Sequence, residues 1–327
     1  MKAIVQDRYG SSEVLEFREV DRPVPKDGEV LVRVRAASVN ARDWHVMRGD
    51  PYVARLAFGL RRPKRRMRIQ GGDFAGVVEA VGKDVTRVRP GDEVYGEADG
   101  AFAEYLCAPQ GVLGPKPANL SFEQAAAVPL AGNTALMGLR DVGKVGPGQH
   151  VLVNGASGGV GTFAVQIAKA LGAEVTGVCS TRNVDLVRSL GADHVVDYTR
   201  EDFTRTGARY DLVFDLVGNR TLADCRRALN PTGMLILAGG GVSEGGSVFG
   251  PTGLLIRGTV MSRFGGGGRI HVLTTAPSTD NLAALRELVE RGDVTPAVDR
   301  TYPLSEAAEA VRYLEVEHAG AKVVITV

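Results

Sequence analysis

The sequence predicts an α/β fold in which a doubly wound parallel sheet is carried by a second, mainly antiparallel and barrel-like domain. Three observations predict it. Residues 151–169, VLVNGASGGVGTFAVQIAK, run directly from an apolar strand through a glycine turn into an amphipathic helix. Short strands and helices then alternate, the pattern of parallel βαβ units. The first third of the chain instead sets short apolar strands between turn residues and shows little helical periodicity.

Taken in order, Lys2–Gln6, Glu29–Ala36 and Phe74–Val81 have strand-like content, punctuated by Pro23, Pro25, Asp27-Gly28, Arg89-Pro90-Gly91 and Asp99-Gly100. Residues 1–118 therefore read as the barrel-like domain, with one irregular arm. That arm, Arg48 to Arg68, carries Arg55, Arg61, Arg62, Lys64, Arg65, Arg66 and Arg68, with no acidic residue between Asp50 and Asp73. It reads either as a solvated basic loop or as a rim that attracts an anionic ligand, such as acyl-carrier or dinucleotide phosphates.

Near Ser121 the texture changes. Ser121 and Gln124 fit a capping box at the head of an alanine-rich helix, Phe122 to Val128, which Pro129 interrupts. Helical character resumes from Asn133 to Asp141 and stops at Gly143 and Pro147-Gly148. After the glycine turn, Ala164, Ile167, Ala168 and Leu171 share one buried stripe. Glu174–Cys179, His194–Asp197, Tyr210–Val217 and Met234–Ala238 read as strands, with helices over Asn183–Leu190 and Thr221–Leu229.

Leu254–Met261 reads as one more strand, an edge open to a second subunit, which predicts a homodimer. Glycine-rich stretches, Gly239–Gly246 and Gly265–Gly268, bracket it. Both are connections. The first also follows the carboxyl end of a parallel strand, where open sheets bind ligands, so Gly239 and Gly240 are candidate contacts. Helices Asn281–Arg291 and Ser305–Glu315 precede a final strand, Lys322–Val327, placed to complete the first domain. The parallel sheet is then an insertion: residues 119–262 inside a domain made of 1–118 and 263–327.

Composition narrows the function. At 327 residues, with 44% hydrophobic and 24% charged residues, the chain suits two globular domains, and a formal charge of +1 gives no reason to expect nucleic acid. No membrane-length apolar run and no leader pattern is visible, so neither membrane insertion nor secretion is expected. The three cysteines, Cys107, Cys179 and Cys225, form no C-x-x-C pair, which suits a cytoplasmic, reducing setting.

Residues 156–161 fit the dinucleotide frame G-x-G-x-x-G, with Ala156, Gly158 and Gly161 at the glycine places and Ser157, Gly159 and Val160 between them. The three places serve a tight turn, close approach to a pyrophosphate, and helix-on-strand packing. About 20 residues on, an Asp or Glu would bind the ribose 2′-hydroxyl of NAD. Here stand Ser180, Thr181 and Arg182, with no carboxylate before Asp185. Hydroxyls beside a forked cation suit a 2′-phosphate, so NADPH is the expected cofactor.

The chain resembles the medium-chain dehydrogenase/reductase superfamily, and within it the zinc-free quinone oxidoreductase branch, closest to bacterial relatives of the mitochondrial reticulon-interacting reductase. SVNARD (38–43), GGDFAGVVEAVG (71–82), RPGDEVYG (89–96), AFAEY (101–105), NGASGGVG (154–161), DLVFDLVG (211–218) and TYPLSEAAEA (301–310) carry the resemblance along the whole chain. It implies a Rossmann domain inserted in a GroES-like barrel. Where zinc members have metal ligands, this chain has Asn40, Gly71-Gly72-Asp73 and Ala131, and no cysteine-rich zinc lobe, so no metal is expected. His45, His150, His194, His271 and His318 lack helical ligand spacing.

The reaction the resemblance implies is hydride transfer from NADPH to a small-molecule quinone or to the β-carbon of an enone. It places Asn40 near nicotinamide and substrate, with Asp43 and His45 on the same segment, although related reductases have an aromatic hydroxyl where His45 stands. Tyr52 or solvent are alternative proton sources, and Asn40 and Asp43 read equally as turn formers. The resemblance also assigns Thr134 and Lys322 to the cofactor and Tyr198 to its adenosine end. Two other readings stay open: an NADPH-binding interaction or sensor protein with vestigial catalysis, and a zinc alcohol dehydrogenase.

Overall fold

The computed structural model describes residues 1–239, 253, 269–317 and 319–327. Two compact units emerge. One comprises Met1–Asn133, Ala276–Gly292 and Pro296–Val327; the other comprises Thr134–Thr275 and Asp293–Thr295.

The first unit is built on strands β1 (Lys2–Gln6), β2 (Leu15–Glu19), β3 (Glu29–Val39), β4 (Asp73–Val81), β5 (Glu93–Glu97), β6 (Tyr105–Pro109) and β7 (Leu113–Pro115). β3, the longest of these, is the hub: it pairs antiparallel with β4 and with β6. The alternation of Val30, Val32 and Val34 puts one face of β3 into a core with Phe74, Phe102, Val323 and Ile325. The chain's last strand, here β15 (Lys322–Thr326), adds antiparallel to β3, as the sequence predicts.

The second unit is a six-stranded parallel sheet of β8 (His150–Asn154), β9 (Glu174–Cys179), β10 (His194–Asp197), β11 (Tyr210–Asp215), β12 (Leu229–Leu237) and β13 (Arg269–Val272), in the order β10-β9-β8-β11-β12-β13. Strand order reverses between β8 and β11, the switch point at which open sheets bind ligands. The Gly159–Ala170 helix is buried from Gly161 through Ala168, on more than the single stripe its periodicity predicts. Gln166 exchanges hydrogen bonds with the Thr295 backbone, so the Asp293–Thr295 segment adds cover that the periodicity does not report.

The units do not divide at 118/119 and 262/263. The Phe122–Ala126 helix, headed by the Ser121–Gln124 capping box, packs on β3 and β4 and so belongs to the first unit. Pro129 opens a second helix, Pro129–Leu136, as its missing N–H permits, and the boundary falls inside it. At the other end, β13 extends the parallel sheet beyond residue 263 by pairing with β12. The sequence reading also lacked β14 (Val298–Pro303), whose charged and polar residues hide a strand parallel to β15. The Leu254–Met261 strand, the Gly265–Gly268 stretch, Gly240 and His318 lie outside the described residues. Among the described residues, no helix is long and apolar enough to cross a membrane.

One close approach fixes the glycine turn. A Cβ at Gly161 would lie 2.0 Å from the Gly155 carbonyl oxygen and 2.7 Å from the Ala156 carbonyl carbon, backbone atoms with nowhere to go. Gly161→Ala is expected to destabilise the protein by about 1–3 kcal/mol, as overpacking does. It should also weaken dinucleotide binding. Thermal denaturation and cofactor titration check this, and an unchanged melting temperature and affinity would contradict it.

Candidate functional site

In the parallel-sheet unit, β8 ends at Asn154 and the chain turns through Gly155 at φ +87°, a conformation that side chains resist. The Gly155 and Ala156 amides both donate to the Val178 carbonyl, which ties the turn to β9. Gly158 then caps the helix. The amides of Gly159, Val160 and Gly161 thus open a twelve-residue helix with no intrahelical acceptors of their own, at its positive end. That is a seat for a pyrophosphate. Ala156 is fully buried, so its place in the frame is a packing one. Ser157 Oγ accepts from Asn183 Nδ2 at 3.0 Å. Asn183, which the sequence reading passed over, links the turn to the segment after β9.

That segment places Ser180, Thr181 and Arg182 at the carboxyl end of β9. The fold adds something the local sequence hides: Asp197, ending β10, accepts the Thr181 hydroxyl proton at 2.5 Å. That hydrogen bond helps hold the Asp197 carboxyl below its ordinary range. Thr181 thus has Asp197 as a partner, while Ser180 and the exposed Arg182 stand beside it at the same strand end. Tyr198, half exposed, donates its amide to Cys179 and so stands beside the same strand end.

At the end of β12, a Cβ on Gly239 would lie 1.9 Å from the Leu216 carbonyl oxygen, so only glycine fits there. Asp215 ends β11, next to β8. Its Oδ1 accepts from Asn154 Nδ2 and from the Val217 and Gly218 amides, while its buried Oδ2 has no hydrogen-bond partner among the described residues. Thr134 lies buried in the Pro129–Leu136 helix. The glycine cradle, the free helix amides and the Ser180–Arg182 end fit a dinucleotide phosphate with a 2′-phosphate.

In the barrel unit a second constellation is buried around Asp73, the first residue of β4. Its Oδ2 accepts from Asn40 Nδ2 at 2.9 Å and from Ser38 Oγ at 3.1 Å; its Oδ1 accepts from the Leu130 amide at 3.1 Å. Lys322, opening β15, brings its ammonium 3.6 Å from Asp73 Oδ2 and donates to Asn40 Oδ1 at 2.5 Å and to the Val39 carbonyl at 3.3 Å. Lys322 and Asp73 are both essentially inaccessible. The carboxamide of Asn40 is thereby engaged at both ends.

Asn40 also precedes the Ala41–Arg48 helix, and its amide donates to Asp43 Oδ2 at 2.7 Å. Burial pushes the Asp43 carboxyl up to about 7, against the pull of Arg42. Glu97, at the end of β5, pairs in register with Asp73. Burial, with Asp73 nearby, pushes Glu97 up to about 7 as well. No side chain among the described residues hydrogen-bonds to Glu97, which lines an opening with room for about one water beside Asn133, Ser278 and Leu282. Arg42, whose charge pulls both carboxyls down, is held by Asp99 at 2.6 Å.

The structure separates the remaining candidates from this cluster. His45 Nδ1 donates to the Asp50 carbonyl at 2.8 Å, its ring stacks on Trp44, and burial lowers its pKa, so it is a neutral, locally bound imidazole. Tyr52 is 45% exposed, with the Arg55 guanidinium 4.6 Å from its ring centre. No hydrogen bond joins either one to Asn40 or Asp73 among the described residues. Lys322, assigned to the cofactor from sequence, instead has its ammonium directed at Asn40, Val39 and Asp73. Asp73 and Glu97 are the residues sequence reasoning missed. Asp73 was in view only as a lost metal ligand, and nothing local to Glu97 reveals its register neighbour.

A zinc ion does not fit this cluster. The ammonium of Lys322 already supplies the cation, both Asp73 oxygens are bonded, and the Asn40 oxygen is turned to the lysine. Gly71, at φ +91°, has no room for a side chain: a Cβ there would meet the Phe102 ring at 2.3 Å. Among the described residues, no group of three or more His, Cys, Asp or Glu is placed to hold a metal.

Comparison with known proteins agrees with this architecture. A family model described as "Alcohol dehydrogenase GroES-like domain" matches residues 26–118, and one described as "Zinc-binding dehydrogenase" matches residues 190–325. The mitochondrial NAD(P)H oxidoreductase RTN4IP1 of Bos taurus is 33% identical, over 100% of this chain and 89% of its own length. The chloroplastic NADPH-dependent alkenal/one oxidoreductase of Arabidopsis thaliana is 34% identical, over 99% of this chain and 79% of its own. The solved quinone oxidoreductase of Coxiella burnetii superposes with a TM-score of 0.85 at 31% identity, covering 100% of this chain and 99% of that one. With full-length relatives, both domain models in sequence order and a parallel sheet inserted in a barrel, the chain belongs to the medium-chain dehydrogenase/reductase superfamily, on its quinone oxidoreductase branch.

Proposed function

We propose that this protein is an NADPH-dependent oxidoreductase that reduces a quinone or an α,β-unsaturated carbonyl without a metal. The observation that carries the reading is the Lys322–Asn40–Asp73 cluster, in which a lysine ammonium is held by Asn40 and Asp73, residues at positions that resemble the ligand places of zinc relatives. Lacking a Lewis acid, such a site suits acceptors that delocalise incoming negative charge themselves, as quinones and enones do. The names of the relatives, quinone oxidoreductase and alkenal/one oxidoreductase, support the same class.

Bound at the glycine turn, NADPH would supply the hydride. The chain's own residues bind, orient and protonate. The helix amides from Gly159 to Gly161, with Ser157 and Asn183 behind them, hold the pyrophosphate; Arg182 and Ser180 hold the 2′-phosphate; Thr134, Tyr198 and Gly239 border the cofactor. Lys322 fixes Asn40 and contributes positive potential where negative charge builds on the acceptor oxygen. Asp43 and Glu97, both near 7, hold protons that can be given up at neutral pH. Glu97 is the better donor, because it lines a water-sized opening and, among the described residues, no side chain hydrogen-bonds to its carboxyl. A cytoplasmic homodimer belongs to the same proposal; the three free thiols, two of them buried, support a reducing compartment.

Two outcomes follow. Arg182→Ala should weaken NADPH by about 1.5–3 kcal/mol, the worth of a charged hydrogen bond, and leave NADH nearly unchanged. Equal loss for both cofactors in a binding titration would remove the 2′-phosphate role. For Glu97, the acid form persists below about 7 and is lost above it, so kcat should be level at lower pH and fall on the alkaline side. Glu97→Gln should lower kcat by roughly 10²-fold and abolish that limb. A variant that keeps both kcat and the pH profile would exclude Glu97 as the proton donor.

A further inference from the structure

The Arg48–Arg68 arm, which the redox chemistry leaves unused, has a defined shape. The Tyr52–Ala54 and Arg55–Phe58 turns lead into a loop closed at its base. Lys64 N–H donates to the Phe58 carbonyl at 2.7 Å, and the Gly59 amide donates to the Arg55 carbonyl at 2.7 Å. The Tyr9 hydroxyl donates to the Gly59 carbonyl at 2.6 Å. Gly59 has φ +128°, and a Cβ there would lie 2.1 Å from the Arg62 carbonyl oxygen, so the turn closes only with glycine. Arg55 anchors the approach, its guanidinium over the rings of Tyr9 and Tyr52 and its Nε donating to the Gly49 carbonyl. Pro63 and Met67 are buried on the inner side.

This frame holds two leucines out in water: Leu56 is 71% and Leu60 69% exposed. Around them stand Arg61, Arg62, Lys64, Arg65 and Arg66, all exposed. Of these five, Arg66 alone has an acidic partner among the described residues, Asp99 at 3.9 Å. The whole chain carries a formal charge of only +1, so this is a local concentration of charge rather than a general one. Exposed apolar side chains rimmed by one sign of charge mark an interaction surface.

We propose that this loop docks the protein peripherally on an anionic phospholipid surface, its cations on the headgroup phosphates and Leu56 and Leu60 in the headgroup–acyl boundary. The combination of leucines with cations selects this partner. A nucleic acid or a soluble phosphate would engage the arginines and leave both leucines in water, whereas an anionic bilayer satisfies the two together. Each cation near such a surface strengthens binding roughly fivefold, an effect that fades within about a Debye length of 10 Å at 0.1 M salt. The inference stands independently of the redox reading.

Flotation of the full-length protein with vesicles tests it. Binding to phosphatidylcholine vesicles containing phosphatidylglycerol is expected to exceed binding to phosphatidylcholine alone by at least about tenfold, and to fall in high salt. Arg61→Glu with Arg62→Glu should abolish it. Leu56→Ser with Leu60→Ser should weaken it several-fold, while circular dichroism and melting temperature stay unchanged in both double variants. In a separate variant, Leu60→Trp, indole emission should shift to the blue on adding anionic vesicles. Equal binding to both vesicle types, no vesicle binding, or retention on heparin or DNA that the leucine changes leave intact would each overturn the proposal.

Discussion

The buried contact among Lys322, Asn40 and Asp73 is the constraint from which the barrel unit is arranged. It joins the first residue of β15 to the residue that follows β3 and the first residue of β4, three segments far apart in sequence. Taking an ammonium and a carboxylate out of water costs several kcal/mol each, and the contact stands only because Ser38, the Leu130 amide and the Val39 carbonyl fill the remaining bonding positions. Removing one partner would strand a buried charge. The contact thus ties the chain's last strand to its first third, on either side of the inserted parallel-sheet unit.

In the proposed reaction the same contact sets the chemistry. A site built around a zinc ion uses its ligands to hold a cation that meets substrate. Here the cation is a side chain and its partners are already bonded, so Asn40 is held rigidly instead of being free to reorganise. Two carboxyls, Asp43 and Glu97, lie deep enough in the protein, and near enough to the Asp73 carboxyl, to keep protons to about neutral pH against the pull of the neighbouring cations. The parallel-sheet unit solves a different problem with backbone alone: close approach at Gly161 and Gly239 removes side chains, and free helix amides face the turn.

Most of the fold was legible because its signals are local. The strand–glycine–helix succession at 151–169, the capping box at Ser121–Gln124, and strands such as Lys2–Gln6 and His194–Asp197 need only near neighbours to be read. β14 was illegible because an edge-like strand of Asp, Arg, Thr and Tyr has no apolar alternation, and it exists through pairing with β15. The unit boundary at 118/119 was misplaced because helix Phe122–Ala126 is helical for local reasons but is assigned by what it packs on. Of the candidate site, the cofactor turn was readable from glycine spacing. The cofactor end was only half readable, since Asp197 reaches Thr181 through strand pairing. Glu97 and the true partners of Lys322 depend on register and on the closure of the sheet, which no local pattern reports.

The central claim is that a lysine-centred polar cluster replaces a metal in this oxidoreductase. Metal analysis of purified protein, performed on the same preparation whose NADPH oxidation with a quinone or enone is being measured, tests it most directly. The account predicts turnover with far less than stoichiometric zinc and no loss of rate after a strong chelator. Stoichiometric zinc whose removal abolishes turnover would contradict it.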